Sequence, residues 1–508
     1  MFKNALVSVS DKTGLVDFLR PYVDQGLRVV STGGTAKYLR KHGFKVVDVQ
    51  EQTQFPEVMD GRVKTLHPFI HMALLFRPHK ESDLQLLKQY QLEPFDLVIG
   101  NLYPFEETLK NLGSDFITEE LIEQIDIGGP SLLRAAAKNF RQIIVICSPS
   151  DYKWVQNKKE LTLEDRRWLA SKVFAHTAAY DSLIAQTLNN KLGESQWNLS
   201  GDMVKSLRYG ENPQQEAYWY HWKGEVHGLH QAQVLQGKEL SFNNLLDIEA
   251  AVSTLREFNG KKSCVAVKHN NPCGVGVADS LVAAVERALK ADPVSVFGGV
   301  VACSHEVDEQ EALLCSNLFL ECLVAPSFSE KALSVFSSKK NLRLLAWKDL
   351  FIGDKRPDVR RVSGGFLVQT KDQVSVQWDN SWKLIGELPS ERIKADLLFA
   401  WKVCAHLKSN AISIAESGQT LGLGMGQTNR VDAVKEAIER MKQFHQPKEP
   451  VLASDAFFPF PDSIELAADA GIRWVIQPGG SIRDQEVIQK ARERGVNLIL
   501  TGKRHFLH

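Results

Sequence analysis

Leu27-Arg-Val-Val-Ser-Thr-Gly-Gly-Thr-Ala36 decides the fold of the first part of the chain. The β-rich run Leu27 to Val30 leads into two hydroxyl residues and two glycines, and Ala36 to His42 then takes up a helical period. A strand that ends in a small polar loop and turns straight into a helix is one βα unit. The backbone N–H groups gathered at the helix start make a seat for an anion. Upstream, Ala5 to Val9, the loop Ser10-Asp-Lys-Thr-Gly14 and the helical Leu15 to Val23 repeat the arrangement and add a lysine. Leu97 to Ile99 and Ile143 to Ile146 supply further strands. This alternation predicts an α/β domain around a mostly parallel sheet. Between Asn189 and Gly201 polar residues interrupt both periods, which places a domain boundary there, giving domains 1–195 and 196–508.

Composition narrows the ligand. The 508 residues carry 61 basic and 61 acidic side chains, so no global field draws nucleic acid or an anionic membrane, and any anion must be gripped locally. The seven cysteines include no Cys-x-x-Cys pair, and no apolar run reaches the ~18 residues of a membrane span. A soluble, cytoplasmic protein without nucleic-acid or membrane partners is expected. Neither polar loop has P-loop or dinucleotide Gly-x-Gly-x-x-Gly spacing, so a monophosphate fits better than ATP or NAD.

Three further strings surround the seat. Arg62-Val-Lys64 sets two cations two residues apart, which on an extended segment point the same way. Asn101-Leu-Tyr103-Pro follows the strand Leu97 to Ile99, and Ile125-Asp126-Ile-Gly128-Gly129 precedes the helical Arg134 to Lys138. In open α/β sheets such loops converge beyond the carboxyl ends of the strands.

The second constellation follows the strand Cys264 to Val267, which ends in Lys268-His269-Asn-Asn-Pro272. A lysine and a histidine at a strand end overhang a cleft if the sheet is open. Arg208-Tyr209-Gly-Glu-Asn-Pro213 and Phe457-Phe-Pro-Phe460 with Asp462 read as loops, and Arg504 to His508 as a tail that would fray. A faint echo links Val324-Ala-Pro326, a helix and Asn341 to Leu344 with Ile476-Gln-Pro478, a helix and Asn497 to Leu500, suggesting two copies of one α/β unit.

Taken in order, these strings resemble the bifunctional purine biosynthesis proteins. Val9-Ser-Asp-Lys-Thr-Gly14, Ser31-Thr-Gly-Gly-Thr-Ala36, Gly61-Arg-Val-Lys-Thr-Leu-His-Pro68, Asn101-Leu-Tyr-Pro104 and Gln124-Ile-Asp-Ile-Gly-Gly129 look like the inosine monophosphate (IMP) cyclohydrolase half. Arg208 to Pro213, Val267-Lys-His-Asn-Asn-Pro-Cys-Gly274, Ser454 to Phe460 and Arg504 look like the half that formylates the aminoimidazole carboxamide ribotide (AICAR). The resemblance implies an α/β chain with an N-terminal methylglyoxal-synthase-like parallel-sheet domain, then two cytidine-deaminase-like α/β units with an internal boundary near 360–390. It implies that Ser10, Lys12, Ser31, Thr32, Gly33, Gly34 and Thr35 hold a ribotide phosphate, with Arg62, Lys64, Thr65, Tyr103, Asp126, Gly128 and Lys138 around the base. Of these, Lys64, Tyr103, Asp126 and Lys138 would be catalytic.

In the second half it implies Lys268 and His269 as the catalytic pair, Arg208, Tyr209 and Arg504 gripping the ribotide, Asn410 and Phe457 lining the site, and Phe457 and Asp462 seating the folate. 10-Formyltetrahydrofolate is then a co-substrate, with no tightly bound cofactor and no metal. The partners implied are ribotides, folate and a second copy of the chain, with the transferase site at the interface. Three rivals fit less of the sequence. A zinc deaminase needs His-x-Glu and Pro-Cys-x-x-Cys, whereas here Pro272-Cys273 lacks a second cysteine and His305-Glu306 lacks the spacer. A methylglyoxal-synthase-like lyase explains only the first domain. A ribotide sensor has no need of Lys64, Tyr103 and the Lys268-His269 pair together.

Overall fold

The computed structural model describes residues 2–63, 65–112, 117–189, 192–193, 196–374 and 377–508. They form two compact units, Met1–Asp202 with Trp222–Gly224, and Met203–His221 with Glu225–His508. No helix among the described residues is long and apolar enough to cross a membrane.

In the first unit β1 (Asn4–Ser8), β2 (Arg28–Ser31), β3 (Val46–Asp48), β4 (Leu97–Gly100) and β5 (Ile144–Ile146) make a parallel sheet in the order β3-β2-β1-β4-β5. A parallel sheet is buried on both faces, so its strands read as continuous apolar runs. Leu6, Val30, Val98 and Val145 point into one core, and Ala5, Val7, Val29 and Ile99 into the other. The helices that position the site are α1 (Leu15–Val23), α2 (Gly33–Lys41), α3 (Gly128–Lys138) and α4 (Leu163–Leu188). α2 begins at Gly33, three residues before the helical period is legible, where Thr32 is extended at its N-cap and Gly33 turns the chain at a positive φ of 52°. Strand order reverses between β1 and β4, and their outgoing loops diverge there to leave a crevice.

One expectation fails in this unit. Arg62 does not lie on an extended segment: Met59–Gly61 is a single helical turn, Arg62 continues it with φ −59°, and Leu66 N–H bonds back to the Val63 carbonyl. The shared direction predicted for Arg62 and Lys64 therefore loses its basis. Lys64 itself lies outside the described residues.

The second unit carries a twelve-stranded mixed sheet among its described residues. Its first six strands are β6 (Gln233–Gln236), β7 (Lys262–Lys268), β8 (Asn271–Ala278), β9 (Val300–Cys303), β10 (Cys322–Ala325) and β11 (Arg343–Ala346). The other six are β12 (Lys383–Ile385), β13 (Ile412–Glu416), β14 (Gln419–Gly424), β15 (Val451–Ser454), β16 (Trp474–Gln477) and β17 (Asn497–Leu500). Their order is β12-β17-β16-β15-β13-β14-β8-β7-β9-β10-β11-β6. Read outward from the β14–β8 contact, both halves give the same list: a hairpin, an antiparallel strand, two parallel strands and an antiparallel edge.

The helices repeat as well. α5 (Phe242–Arg256), α6 (Leu281–Ala291), α7 (Glu309–Ser316) and α8 (Glu330–Phe336) alternate with the first six strands as α9 (Glu391–Cys404), α10 (Arg430–Phe444), α11 (Asp462–Asp469) and α12 (Asp484–Arg494) do with the second six. The echo read from the last strand, helix and strand of each copy thus extends to ten elements per copy. α5 and α9 share one core across both halves, while the other face has a separate core for each. The central strands lie close under their helices because each carries Gly-x-Gly. A Cβ at Gly274 or Gly276 would stand 2.1 or 2.2 Å from a carbonyl oxygen of α6, and one at Gly422 or Gly424 2.0 Å from one of α10.

Candidate functional sites

Beyond the carboxyl ends of β1 and β4 lies a cavity of about 550 Å³. It gathers Ser10, Lys12, Thr32, Gly34, Thr35, Arg62, Thr65, Tyr103, Asp126 and Gly128, residues drawn from five separate stretches of sequence. Two helix starts border it, Gly33 of α2 and Gly128 of α3, and the first N–H groups of a helix have no partner inside it. Ten residues at ~1.5 Å each separate Gly128 from Lys138, so Lys138 stands about 15 Å along α3, exposed and away from this lining. Within one chain it stands apart from the residues gathered here. Ser31 is also outside the lining, fully buried with its hydroxyl on the Val7 carbonyl at 2.7 Å, and Gly33 supplies backbone at φ 52°.

The walls are fixed by hydrogen bonds within the unit. Thr35 Oγ1 accepts from Val9 N–H (3.1 Å) and donates to the Val9 carbonyl (2.9 Å), tying α2 to the end of β1. Asn101 Oδ1 accepts from the N–H groups of Ser10 (2.6 Å) and Asp11 (2.9 Å), and its amide donates to the Asp11 carbonyl (2.9 Å). The Ser10-Asp11 loop is thus held by a side chain that the sequence shows only as part of a string. Tyr180 on α4 donates to the Gln124 carbonyl (2.6 Å) and accepts from Asp126 N–H (2.8 Å), while Asp126 Oδ1 accepts from Gly129 N–H (2.7 Å). A Cβ at Gly129 would lie 2.4 Å from the Asp126 carboxylate and 2.9 Å from Leu102, so a larger residue there displaces the Asp126 side chain. Burial, then the carboxylates of Asp126 and Glu57, raises the Tyr103 phenol above its ordinary range, so it remains a proton donor.

In the second unit Lys268 ends β7 and His269-Asn270 makes the two-residue turn into β8, both with positive φ (52° and 62°). Asn and His are among the non-glycine residues that enter this region most readily. Asp247 on α5 is the restraint: Oδ1 accepts from Asn270 N–H at 2.7 Å, and burial raises its carboxyl above the usual range despite the nearby His269 and Lys268. Lys268 Nζ donates to the Phe297 carbonyl, beside the exposed Phe297–Phe319 pair. Beneath the turn, Lys268, His269, Asn271, Asp292, Glu436 and Arg440 help line a cavity of about 360 Å³.

Asn271 Oδ1 accepts from Lys408 N–H (3.1 Å), which joins this turn to Lys408-Ser409-Asn410. Asn410 is held by Arg430 at its oxygen (2.6 Å) and donates to the Gln427 carbonyl (2.8 Å), and Arg430 forms a buried ion pair with Asp455. The tail does not fray. Ser409 N–H bonds the Leu507 carbonyl, Leu507 N–H the Ser409 hydroxyl, and His505 N–H the Asp455 carbonyl, which brings Arg504 to the same region. Phe457 is 36% exposed while Phe458 is fully buried, so the aromatic run divides between surface and core. Asp462 begins α11 and accepts from Ser463 N–H. Arg208 and Tyr209 hydrogen-bond each other (2.7 Å) and, among the described residues, neither Lys268 nor His269. No cluster among the described residues is arranged to hold a metal.

Sequence reading missed Asp247, Asn101 and Phe297. A serine N-cap followed by an aspartate six residues later, Ser241 and Asp247, was the available signal, since Ser390 and Asp396 repeat it in the second copy.

A family model described as AICARFT/IMPCHase bienzyme matches residues 136–440, and one described as MGS-like domain matches residues 14–131. The bifunctional purine biosynthesis protein PurH of Aquifex aeolicus is 47% identical over 99% of this chain and 100% of its own. That of Bacillus subtilis is 47% identical over 100% of this chain and 99% of its own, and that of Microcystis aeruginosa 47% over 100% of both. A solved structure named "Crystal structure of ForH" is 31% identical, covers 37% of this chain and 100% of that one, and superposes with a TM-score of 0.32. The expected α/β class with an MGS-like first domain is borne out.

Proposed function

The chain belongs to the AICARFT/IMPCHase bienzyme family, a bifunctional enzyme of purine biosynthesis with AICAR formyltransferase and IMP cyclohydrolase activities, and we propose how its residues divide that work. Residues 1–195 carry the cyclohydrolase and 196–508 the formyltransferase, the latter built of two units that meet near 360–390. The enzyme is cytoplasmic and a homodimer with its transferase site at the interface. The convergence of ten separately legible residues on one crevice supports the first assignment most directly.

In the formyltransferase the 5-amino nitrogen of AICAR attacks the formyl carbon of 10-formyltetrahydrofolate, the carbon–N10 bond breaks, and the proton lost by the amine ends on N10. His269 takes that proton and Lys268 stabilises the oxyanion of the tetrahedral intermediate, help worth ~10²–10⁴ in rate for the proton transfer. Arg208, Tyr209, Asn410 and Arg504 bind the ribotide, with Phe457 and Asp462 on the folate.

The cyclohydrolase needs no second molecule. The carboxamide nitrogen adds to the formyl carbon of the same ribotide, and the formyl oxygen leaves as water with one proton from each nitrogen. Holding the two groups in contact lowers such a barrier by ~7–11 kcal/mol. Ser10, Lys12, Thr32, Gly34 and Thr35 seat the phosphate, with Ser31 and Gly33 shaping the strand end behind them. Arg62, Lys64, Thr65 and Gly128 surround the base, and Tyr103 with Asp126 moves the protons. The test is His269→Ala or Lys268→Ala in the full chain. Transfer falls by at least ~10²-fold while closure of supplied formylated ribotide stays at the wild-type rate. Loss of both activities in a folded variant overturns the two-site division.

A further inference from the structure

The duplication of the second unit places a counterpart opposite the Lys268-His269 turn. The equivalent turn is Ser417-Gly418 between β13 and β14, again with two positive φ values (51° and 71°). Asp396, the sixth residue of α9 as Asp247 is of α5, again accepts from the second turn residue, here Gly418 N–H at 2.9 Å. The frame is preserved and the chemistry is not, since Glu416-Ser417 stands where the first copy has Lys268-His269.

A cavity of about 850 Å³ lies at this second turn, larger than the 360 Å³ one at the first. Its electrostatics are inverted. The seventh residue of the packing helix is Glu436 at the first cavity and Arg287 at the second. Six cations line it against three carboxylates, Asp279, Glu391 and Asp396. Arg392 pairs with Asp396 and Glu449, and Lys394 with Glu391. For Lys261, Lys262, Arg287 and Lys402 the described residues offer no carboxylate within ion-pairing distance. Lys402 is only 9% exposed, donates to the Glu257 carbonyl at 2.8 Å, and is pushed below the ordinary lysine range by burial. The Glu257 carboxylate acts on it from beyond ion-pairing distance and is itself paired with His406, so an anion delivered from solution further stabilises this buried ammonium. Phe258, Phe399 and Trp378 line it too, with Lys402 Nζ 5.8 Å from the Phe258 ring centre and Lys394 Nζ 5.8 Å from that of Trp378.

We propose that this cavity is a second, non-catalytic ligand site of the enzyme, and that it takes a nucleoside polyphosphate, the phosphates on Arg287, Lys402 and Lys262 and the base against Trp378 and Phe258. The volume falls within the range of small-molecule pockets, and cations set beside aromatic rings fit a ligand with a charged end and a planar end. Without the lysine–histidine pair the site binds and does not turn over.

The test uses the full-length enzyme with both catalytic sites saturated by AICAR and IMP, and equilibrium dialysis of ATP, tripolyphosphate and adenosine as separate probes. ATP binds saturably at one molecule per chain, and about tenfold more tightly than either fragment. Lys402→Met weakens ATP by at least about tenfold, and the exposed Lys262→Glu by about fivefold, with both activities in the absence of ATP unchanged. Lys262→Glu keeps the test decisive should the buried substitution not fold. ATP binding that is absent at about 5 mM, that ignores both substitutions, or that tripolyphosphate matches overturns the proposal.

Discussion

Tyr103 and Asp247 are two titratable groups that burial shifts in the same direction with different consequences. The Tyr103 phenol, raised by burial and by Asp126 and Glu57, stays protonated as pH climbs through 10, where a free phenol ionises. Cyclohydrolase turnover that uses this proton therefore holds level through pH ~10 and declines only above it, while Tyr103→Phe loses ~10²-fold throughout and has no such limb. An alkaline limb centred below pH 10 that persists in Tyr103→Phe removes the phenol from the proton path. At Asp247 the raised carboxyl pKa means that the native state holds the proton more tightly than the unfolded chain, so stability declines as pH rises above the ordinary carboxylate range. Asp247→Asn keeps an acceptor for Asn270 N–H and relieves that cost, so its urea midpoint at pH 7 equals or exceeds wild type. Asp247→Ala orphans the N–H and loses ~1–2 kcal/mol together with formyl transfer. Crevice residues such as Ser10 and Thr32 were legible because the polar loops that carry them are consecutive residues at strand ends. Asp247 and Asn101 were not, because their partners lie 23 and 91 residues away.

Among the elements, the two Gly-x-Gly strands define how closely helix and sheet approach. Gly422→Ala directs a methyl at the Ala437 carbonyl and forces α10 outward, which costs about 2–3 kcal/mol of the second unit's stability by overpacking. The same change at Gly471, where nothing stands within 4 Å of a new Cβ but φ is +79°, costs about 1 kcal/mol through backbone strain alone. Urea midpoints of the two variants separate the effects. The parallel sheet of the first unit was readable as an alternation of strand and helix patterns, and the start of α2 was missed only because glycine lacks a helical signature. The ten-element duplication was visible in sequence solely at its last three elements. Four- and five-residue buried strands share one apolar vocabulary, and what makes the copies equivalent is pairing direction, which composition does not record.

Over the whole molecule, the proposed division of work makes the two activities answer to different substitutions. A Lys12→Ala chain keeps formyl transfer and a His269→Ala chain keeps ring closure. Neither alone converts AICAR and 10-formyltetrahydrofolate to IMP at more than about 1% of the wild-type rate, whereas an equimolar mixture does so through the released formylated ribotide. Absence of IMP from the mixture, with each partial activity intact, contradicts independent sites. The pairing of β8 with β14 at the centre of the twelve-stranded sheet sets equivalent strands of the two copies antiparallel, the relation made by a two-fold axis. Such a join is the one two identical copies make when they meet edge to edge. Within one chain the two copies need not be identical. A substitution need not suit both sides of the axis, and one turn carries lysine and histidine where the other carries glutamate and serine.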